Sequence, residues 1–277
     1  MTGSSAWSAA AEPRRRIGHR VEFHASIGST NDRAWQLLRD GEEGVAVVAD
    51  LQTAGRGRQG RTWTSPSGVN LMVSVGIRPR LPVTDAWQLA FGAALAVREA
   101  CLSALPGETS MKIGVKWPND VVDDEGRKLA GILIETAVSE DRISDAVIGV
   151  GINANWPRAQ MPPDIVETST SLADLAKRDI ERVALLRVCL GGLDAEVAGL
   201  EARVTPLERF RAASWLAGRH VRVAVGDRHA QGQVAGIDHD GSLLLQTDAG
   251  LERLGWGEVV QVRTSPETQT EQRLATA

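Results

Sequence analysis

Along this chain the spacing of apolar and polar positions changes several times, and each change marks an element. Residues 1–20 carry no period and read as a flexible arm. Val21–Ala25 alternates as a short strand and runs into Ser29-Thr30-Asn31-Asp32. That cluster is a helix start, with Ser29 three residues before Asp32 as a capping box for a helix ending near Arg39. Gly44–Asp50 is a β-branched apolar run, hence a strand. Leu51–Ser67 is polar and rich in glycine and arginine, so it reads as a long loop. Val69–Ile77 returns to strand, and Thr84–Leu105 has helical spacing through Trp87, Leu89, Leu95, Val97 and Leu102.

After Ile113–Trp117 come two strands, Asp120–Val122 and Lys128–Thr136, and the turn chemistry of Asp124–Gly126 between them predicts a hairpin. Ser144–Ile152 is a further strand. Ser169–Ala213 is helical in pattern, weakened at Gly191-Gly192. The body is therefore α+β, a mixed and mainly antiparallel sheet flanked by helices. Beyond Trp215 the pattern shifts to short strands at Val221–Val225, Gln231–Ile237, Ser242–Gln246, Leu251–Leu254 and Val259–Val262. These predict a small all-β barrel. The expected organisation is an arm at 1–20, a body at 21–215, a barrel at 216–264 and a disordered polar tail at 265–277.

Composition narrows the classes. A formal net charge of −4 argues against nucleic acid as a partner, which calls for concentrated basic surface. No apolar run approaches the roughly 18 residues of a membrane span, and the first residues lack the apolar core of a signal peptide. The expectation is a cytoplasmic protein, a monomer or weak dimer, with no membrane partner. Cys101 and Cys189 fall in helical segments and read as buried free thiols. The 5 histidines show no metal-ligand spacing, so no protein-bound metal is expected. Of 31 basic residues only Lys112, Lys116, Lys128 and Lys177 are lysines. Lysine, a compact point charge, can enter a tight polar pocket where the arginine fork does not fit.

Gly55-Arg56-Gly57-Arg58-Gln59-Gly60-Arg61 matches G-x-G-x-x-G, yet the dinucleotide reading fails on context. That motif needs a following helix and an acidic residue about twenty positions on. Here Pro66 and a β-rich segment follow, with basic Arg78 and Arg80 beyond. No Gly-Lys-Ser/Thr closes a Walker loop either. Arginines alternating with glycines suit phosphate or carboxylate binding, or else a solvated loop. Two further stretches carry chemistry. Lys116-Trp117-Pro118-Asn119-Asp120 joins a cation, an indole, an amide and a carboxylate; Lys128-Leu129-Ala130-Gly131-Ile132 opens a strand with a lysine. The hairpin brings Asp120 near Lys128, as a site or as a stabilising ion pair. Gly149-Val150-Gly151-Ile152-Asn153 offers bare backbone against which a ligand could lie flat.

Taken in order, Gly55–Trp63, Lys116–Asp120 and Lys128–Ile132, with Ser29-Thr30-Asn31 and Gln52 upstream, resemble the biotin protein ligase family from about Glu22 to Val262. The resemblance implies a class II synthetase-like catalytic fold and an SH3-like C-terminal barrel. It implies ATP-dependent joining of biotin to a lysine of a biotin carboxyl carrier domain through biotinyl-5′-AMP, with Mg²⁺ carried by ATP. By the same resemblance Ser29, Thr30, Asn31 and Gln52 would hold the ureido ring of biotin, along with Gly55, Gly57, Gly131 and Gly149 nearby. Arg56 and Arg58 would grip carboxylate and phosphates, and Lys128 would neutralise charge at the reacting phosphorus. Arg61, Trp63, Lys116, Asn119 and Asn153 would face the nucleotide, and Asp120 would take the proton of the acceptor lysine. Repressing relatives carry an N-terminal winged helix, for which residues 1–20 are too few, so repressor activity is not expected. Lipoate and octanoate ligases of the same fold are the alternative.

Overall fold

A computed structural model describes residues 4–105, 107 and 113–263. Seven strands form the main sheet in the order β1-β2-β3-β7-β6-β5-β4: β1 Val21–His24, β2 Ala46–Ala49, β3 Leu71–Ile77, β4 Gly114–Lys116, β5 Asp120–Val122, β6 Lys128–Ser139 and β7 Arg142–Ile152. β1 and β2 run parallel and every other neighbouring pair is antiparallel, as the sequence pattern predicts. β2 and β3 are buried at every residue, which explains why β2 reads as an unbroken apolar run and β3 as one interrupted by Ser74.

The helices are α1 Ser4–Ser8, α2 Thr30–Arg39, α3 Ala86–Ala104, α4 Pro163–Val166, α5 Leu172–Ala176, α6 Arg182–Glu201 and α7 Leu207–Ala212. α3 and α6 pack together over one face of the sheet. Gly192, expected to weaken α6, serves this contact: a Cβ there would lie 3.0 Å from the Ala96 Cβ and 3.2 Å from its Cα. Phe91 of α3 stacks on Phe210 of α7 with ring centroids 3.7 Å apart. Cys101 and Cys189 are free and buried here, and burial pushes the Cys189 thiol up to about 12.

α2 covers the other face. Ala34, Leu37 and Leu38 join Val45, Val47 and Val147 in a second, smaller core. The expected capping box at its start is not made. Ser29 is the N-cap by backbone geometry without a side-chain capping bond, and the Asp32 carboxylate accepts instead from Arg56.

Residues 5–20 depart from the flexible arm that their lack of period suggests. Trp7 is buried, stacks on Phe23 and lies under the Arg182 guanidinium at 5.1 Å. Ile17 is fully buried, the Gly18 amide donates to the Gly44 carbonyl, and Arg16 pairs with Glu43 and Glu201. Two isolated apolar anchors fix an irregular segment without leaving a periodic trace.

The five C-terminal strands, β8 His220–Val225, β9 Arg228–Ile237, β10 Leu243–Thr247, β11 Gly250–Leu254 and β12 Glu258–Arg263, form an antiparallel sheet in the order β11-β10-β9-β8-β12. It docks on the body where the Trp117 indole donates to the Gly241 carbonyl at 3.0 Å. The tail expected from 265 lies outside the described residues.

Candidate active site

Strand periodicity builds the floor of the site. On β3 the residues Leu71, Val73, Val75 and Ile77 enter the large core. Ser74 and Gly76 fall on the opposite face beside α2, Ser74 bonding to Thr30 and Asn31. Gly149 and Gly151 of β7 and Gly131 of β6 lie on that same face. A pocket opens above them.

One end of the pocket is a closed polar network. Thr30 donates from its backbone nitrogen and its hydroxyl to Gln52 Oε1, at 2.8 and 3.0 Å. The Ser74 hydroxyl lies 2.7 Å from Thr30 Oγ1 and 2.6 Å from Asn31 Oδ1. Asn31 Nδ2 donates to Glu135 Oε2 at 2.7 Å, and the Trp35 indole donates to the same oxygen. These bonds fix which end of each amide faces which way. Ser29, Thr30, Asn31, Gln52 and Gly149 all line the pocket. The bare backbone at 149 and 151 is not itself open, however. A Cβ at Gly149 would lie 2.3 Å from Asn31 Oδ1, and one at Gly151 2.5 Å from the Trp63 ring. These glycines make room for side chains of the opposite wall.

The Arg loop closes on itself. The Trp63 amide donates to the Gly55 carbonyl at 3.0 Å and the Gly57 amide to the Arg61 carbonyl at 2.7 Å, with Gln59 left-handed at the tip. Gly55 cannot carry a side chain, since its Cβ would meet the Trp63 carbonyl at 2.5 Å. The three arginines then go to three different parts of the fold. Arg56 forks onto Asp32 at 2.7 and 2.9 Å and reaches Glu135 at 3.2 Å. Those bonds, the Asp32 carboxylate foremost, raise its pKa further. Arg58 donates to Asn119 Oδ1 at 3.0 Å and has no ion-pair partner among the described residues; burial lowers its pKa, with Asp120 opposing and Arg61 adding. Arg61 pairs with Glu258 of β12.

Lys128 and Asp120 meet as the hairpin predicts. The Lys128 Nζ lies 2.7 Å from Asp120 Oδ1, 5.7 Å from the Trp63 ring centre, and over Gly131. Trp63 is also a donor without an acceptor, since its buried indole nitrogen has no protein partner among the described residues. Arg56, Gly57, Arg58, Trp63, Asn119, Lys128 and Gly131 all line the pocket.

Some expected residues sit elsewhere. Asn153 is buried with both ends of its amide used, accepting from Asn70 and donating to the Lys128 carbonyl, so it braces Lys128 from behind. Lys116 and Arg61 line an adjoining cleft together with Asp120 and Lys128. Burial lowers the Lys116 pKa, with Asp120 opposing and Lys128 and Arg61 adding. Three residues of the site escaped the sequence reading: Ser74, Asp32 and Glu135. A serine within Leu71–Ile77 and an acid within Lys128–Thr136 were the available signals, because polar groups on buried strands need partners.

Comparison with known proteins gives a consistent picture. Residues 23–153 match the model of the biotin/lipoate A/B protein ligase family, and residues 217–261 match the biotin protein ligase C-terminal domain. The biotin--[acetyl-CoA-carboxylase] ligase of Mycobacterium tuberculosis is 34% identical over 88% of this chain and 89% of its own length. The bifunctional ligase/repressor BirA of Bacillus subtilis is 32% identical over 86% of this chain and 73% of its own. Among solved structures, the biotin protein ligase of Aquifex aeolicus in complex with biotin and ATP superposes with a TM-score of 0.71 at 27% identity, covering 89% of this chain and 99% of that one.

Proposed function

The chain belongs to the biotin protein ligase family, and on that premise we propose that it joins biotin to one lysine of a carboxylase's biotin carrier domain, by way of biotinyl-5′-AMP. The observation that carries the proposal is the junction at Lys128. A pocket ending in the Thr30–Asn31–Gln52 network meets there the cleft that holds Lys116 and Arg61. A neutral ring with one carbonyl and two N–H groups suits the first. A polyphosphate suits the second.

In this reading the biotin head lies against Ser29, Thr30, Asn31 and Gln52, and its carboxylate reaches toward Lys128 and Arg58. The carboxylate oxygen attacks the α-phosphorus, and the bond from that phosphorus to the bridging β-phosphate oxygen breaks, its electron pair leaving on pyrophosphate. The attack presses two anions together. Lys128 and Arg58 lower that cost in a partly dry site, an effect worth ~3–4 kcal/mol per well-aimed donor. Arg56, already held by Asp32 and Glu135, orders the loop over the product, and its hydrolysis is suppressed by excluding water. Trp63 and Asn119 border the nucleoside, with Asn153 acting through the Lys128 carbonyl. The acceptor amine then attacks the acyl carbon, AMP leaves, and Asp120 takes the amine proton. We assign 21–215 to this chemistry and 216–264 to a module that closes on the Arg loop.

Magnesium would enter on the ATP phosphates. Among the described residues no group of three His, Cys, Asp or Glu side chains could hold an ion, and no step is assigned to it.

The test is transfer itself. The protein, ATP and biotin incubated with an apo carrier domain should add one biotin amide, located by mass spectrometry on a single carrier lysine. No modification of a folded carrier would overturn the proposal.

A further inference from the structure

The ends of three neighbouring strands meet behind Lys128. Asn70 precedes β3, Asn153 follows β7 and Lys128 opens β6, and β3, β7 and β6 are adjacent in the sheet in that order. Asn70 is fully buried and lines neither the pocket nor the cleft. The direction of its amide follows from its partners. The Ala154 backbone nitrogen can only donate, and it meets Asn70 Oδ1 at 3.0 Å. Asn70 Nδ2 is left to donate to Asn153 Oδ1 at 3.2 Å, which turns Asn153 Nδ2 onto the Lys128 carbonyl at 3.2 Å. The backbone of Asn70 is held as well. Arg182 Nη1 donates to its carbonyl at 3.1 Å and to Asp50 at 2.8 Å.

Lys128 depends on this support because the regular ladders stop short of it. Pairing of β6 with β7 starts at Ala130, and pairing with β5 slips between Val121 and Val122, where Val122 faces Lys128. The Lys128 peptide is fixed instead by the neighbouring 168–170 segment and by Asn153. Its nitrogen donates to the Thr168 carbonyl at 2.7 Å, and its carbonyl accepts from the Thr170 nitrogen at 3.0 Å and from Asn153. The charged Nζ rides at the far end of a flexible stem. A small turn of the peptide swings it by ~1 Å, and a displacement of that size can cost ~10²-fold in rate.

We propose that Asn70 is a positioning residue for Lys128. By fixing which end of the Asn153 amide faces Lys128, it sets the Lys128 peptide and with it the aim of Nζ beside Asp120 and the pocket. The consequence for rate rests on the ligase reading, which gives Lys128 its role; the hold on Lys128 does not. Asn70 acts in one direction along the relay, so its effect on the reaction must pass through Asn153 and end at Lys128.

Pyrophosphate exchange and calorimetric titration of biotin, with light acetylation of the lysines read by mass spectrometry, test this on full-length variants. Asn70→Ala should lower kcat by about tenfold to a hundredfold. The ATP KM and the biotin Kd should stay within about twofold, a split that loosened packing would not produce. In a Lys128→Ala background the same change should cost nothing further, because residues acting as one unit are not additive. Lys128, loosened from Asp120, should also be acetylated faster relative to the exposed Lys177 than in the wild type. Asn70→Ser, too short to reach Asn153, should behave alike and serves if the alanine variant fails to fold. A kcat within about twofold of wild type in the folded variants, losses that multiply with that of Lys128→Ala, or an unchanged acetylation ratio overturns the assignment. Absence of biotin-dependent exchange in the wild type would overturn the ligase reading, and the acetylation ratio would still decide whether Asn70 holds Lys128.

Discussion

One methyl group at Gly149 is a sharp probe of how the pocket is built. The Cβ of Gly149→Ala would lie 2.3 Å from Asn31 Oδ1, 3.0 Å from its Cγ and 3.1 Å from its Nδ2. Asn31 is buried, and it is tied to Ser74 at 2.6 Å and to Glu135 at 2.7 Å. Either Asn31 retreats and breaks those bonds, or β7 moves. Overpacking of this kind costs ~1–3 kcal/mol. The bond to Ser74 is worth about 1 kcal/mol and that to the Glu135 carboxylate ~1.5–3 kcal/mol. The two routes are alternatives, so a net loss of ~3 kcal/mol is expected, a fall in Tm of roughly 5 °C for a chain of this size. If Asn31 contacts the ligand head, losing its orientation weakens biotin by about tenfold or more. Thermal unfolding and calorimetric titration of biotin read both effects. Gly28→Ala is the matched control, since a Cβ there meets nothing within 4 Å. A Gly149→Ala protein with the Tm and biotin affinity of the control would show that Asn31 does not depend on the bare backbone at Gly149.

Three further outcomes are expected. Lys128→Ala should remain folded, its side chain being 33% exposed, and should lose adenylate formation by about 10²–10³-fold; normal pyrophosphate release would count against its role. Arg58→Gly removes a guanidinium without an ion-pair partner among the described residues, and its bond to Asn119, so the adenylate should escape and label bystander lysines, measured by streptavidin blotting of an added non-carrier protein. Stability should also depend on Glu22, whose bond to Arg33 holds its carboxyl at about 2. A depressed carboxyl stabilises the fold fully above the unfolded value of 4.5 and loses this as pH falls toward 2. Glu22→Gln should flatten the acid limb of the denaturation curve over that window, and an unchanged limb would exclude this pair as a contributor.

Much of the fold was legible because its strands and helices have clean periods. The antiparallel ladder, the 123–127 hairpin and the β-rich C-terminal unit all follow from alternation and turn residues. Residues 5–20 were not legible, because Trp7 and Ile17 anchor them through single contacts that no window detects. The candidate site was legible where charged and polar side chains cluster in short motifs, as in Gly55–Trp63 and Lys116–Asp120. It was illegible where a polar residue works across strands. Ser74 and Glu135 look like interruptions of apolar runs until Asn31 is seen between them. Asn153 shows the reverse case, a motif residue whose amide is fully used inside the protein.

Activation of biotin by ATP at this site is read by ATP–pyrophosphate exchange. Purified protein would be given labelled pyrophosphate and ATP with biotin, lipoate or octanoate in turn. Exchange should require biotin and be absent with the other two acids. Exchange driven by lipoate or octanoate would move the chemistry to those acids, and no exchange with any of the three would rule out adenylation at this site.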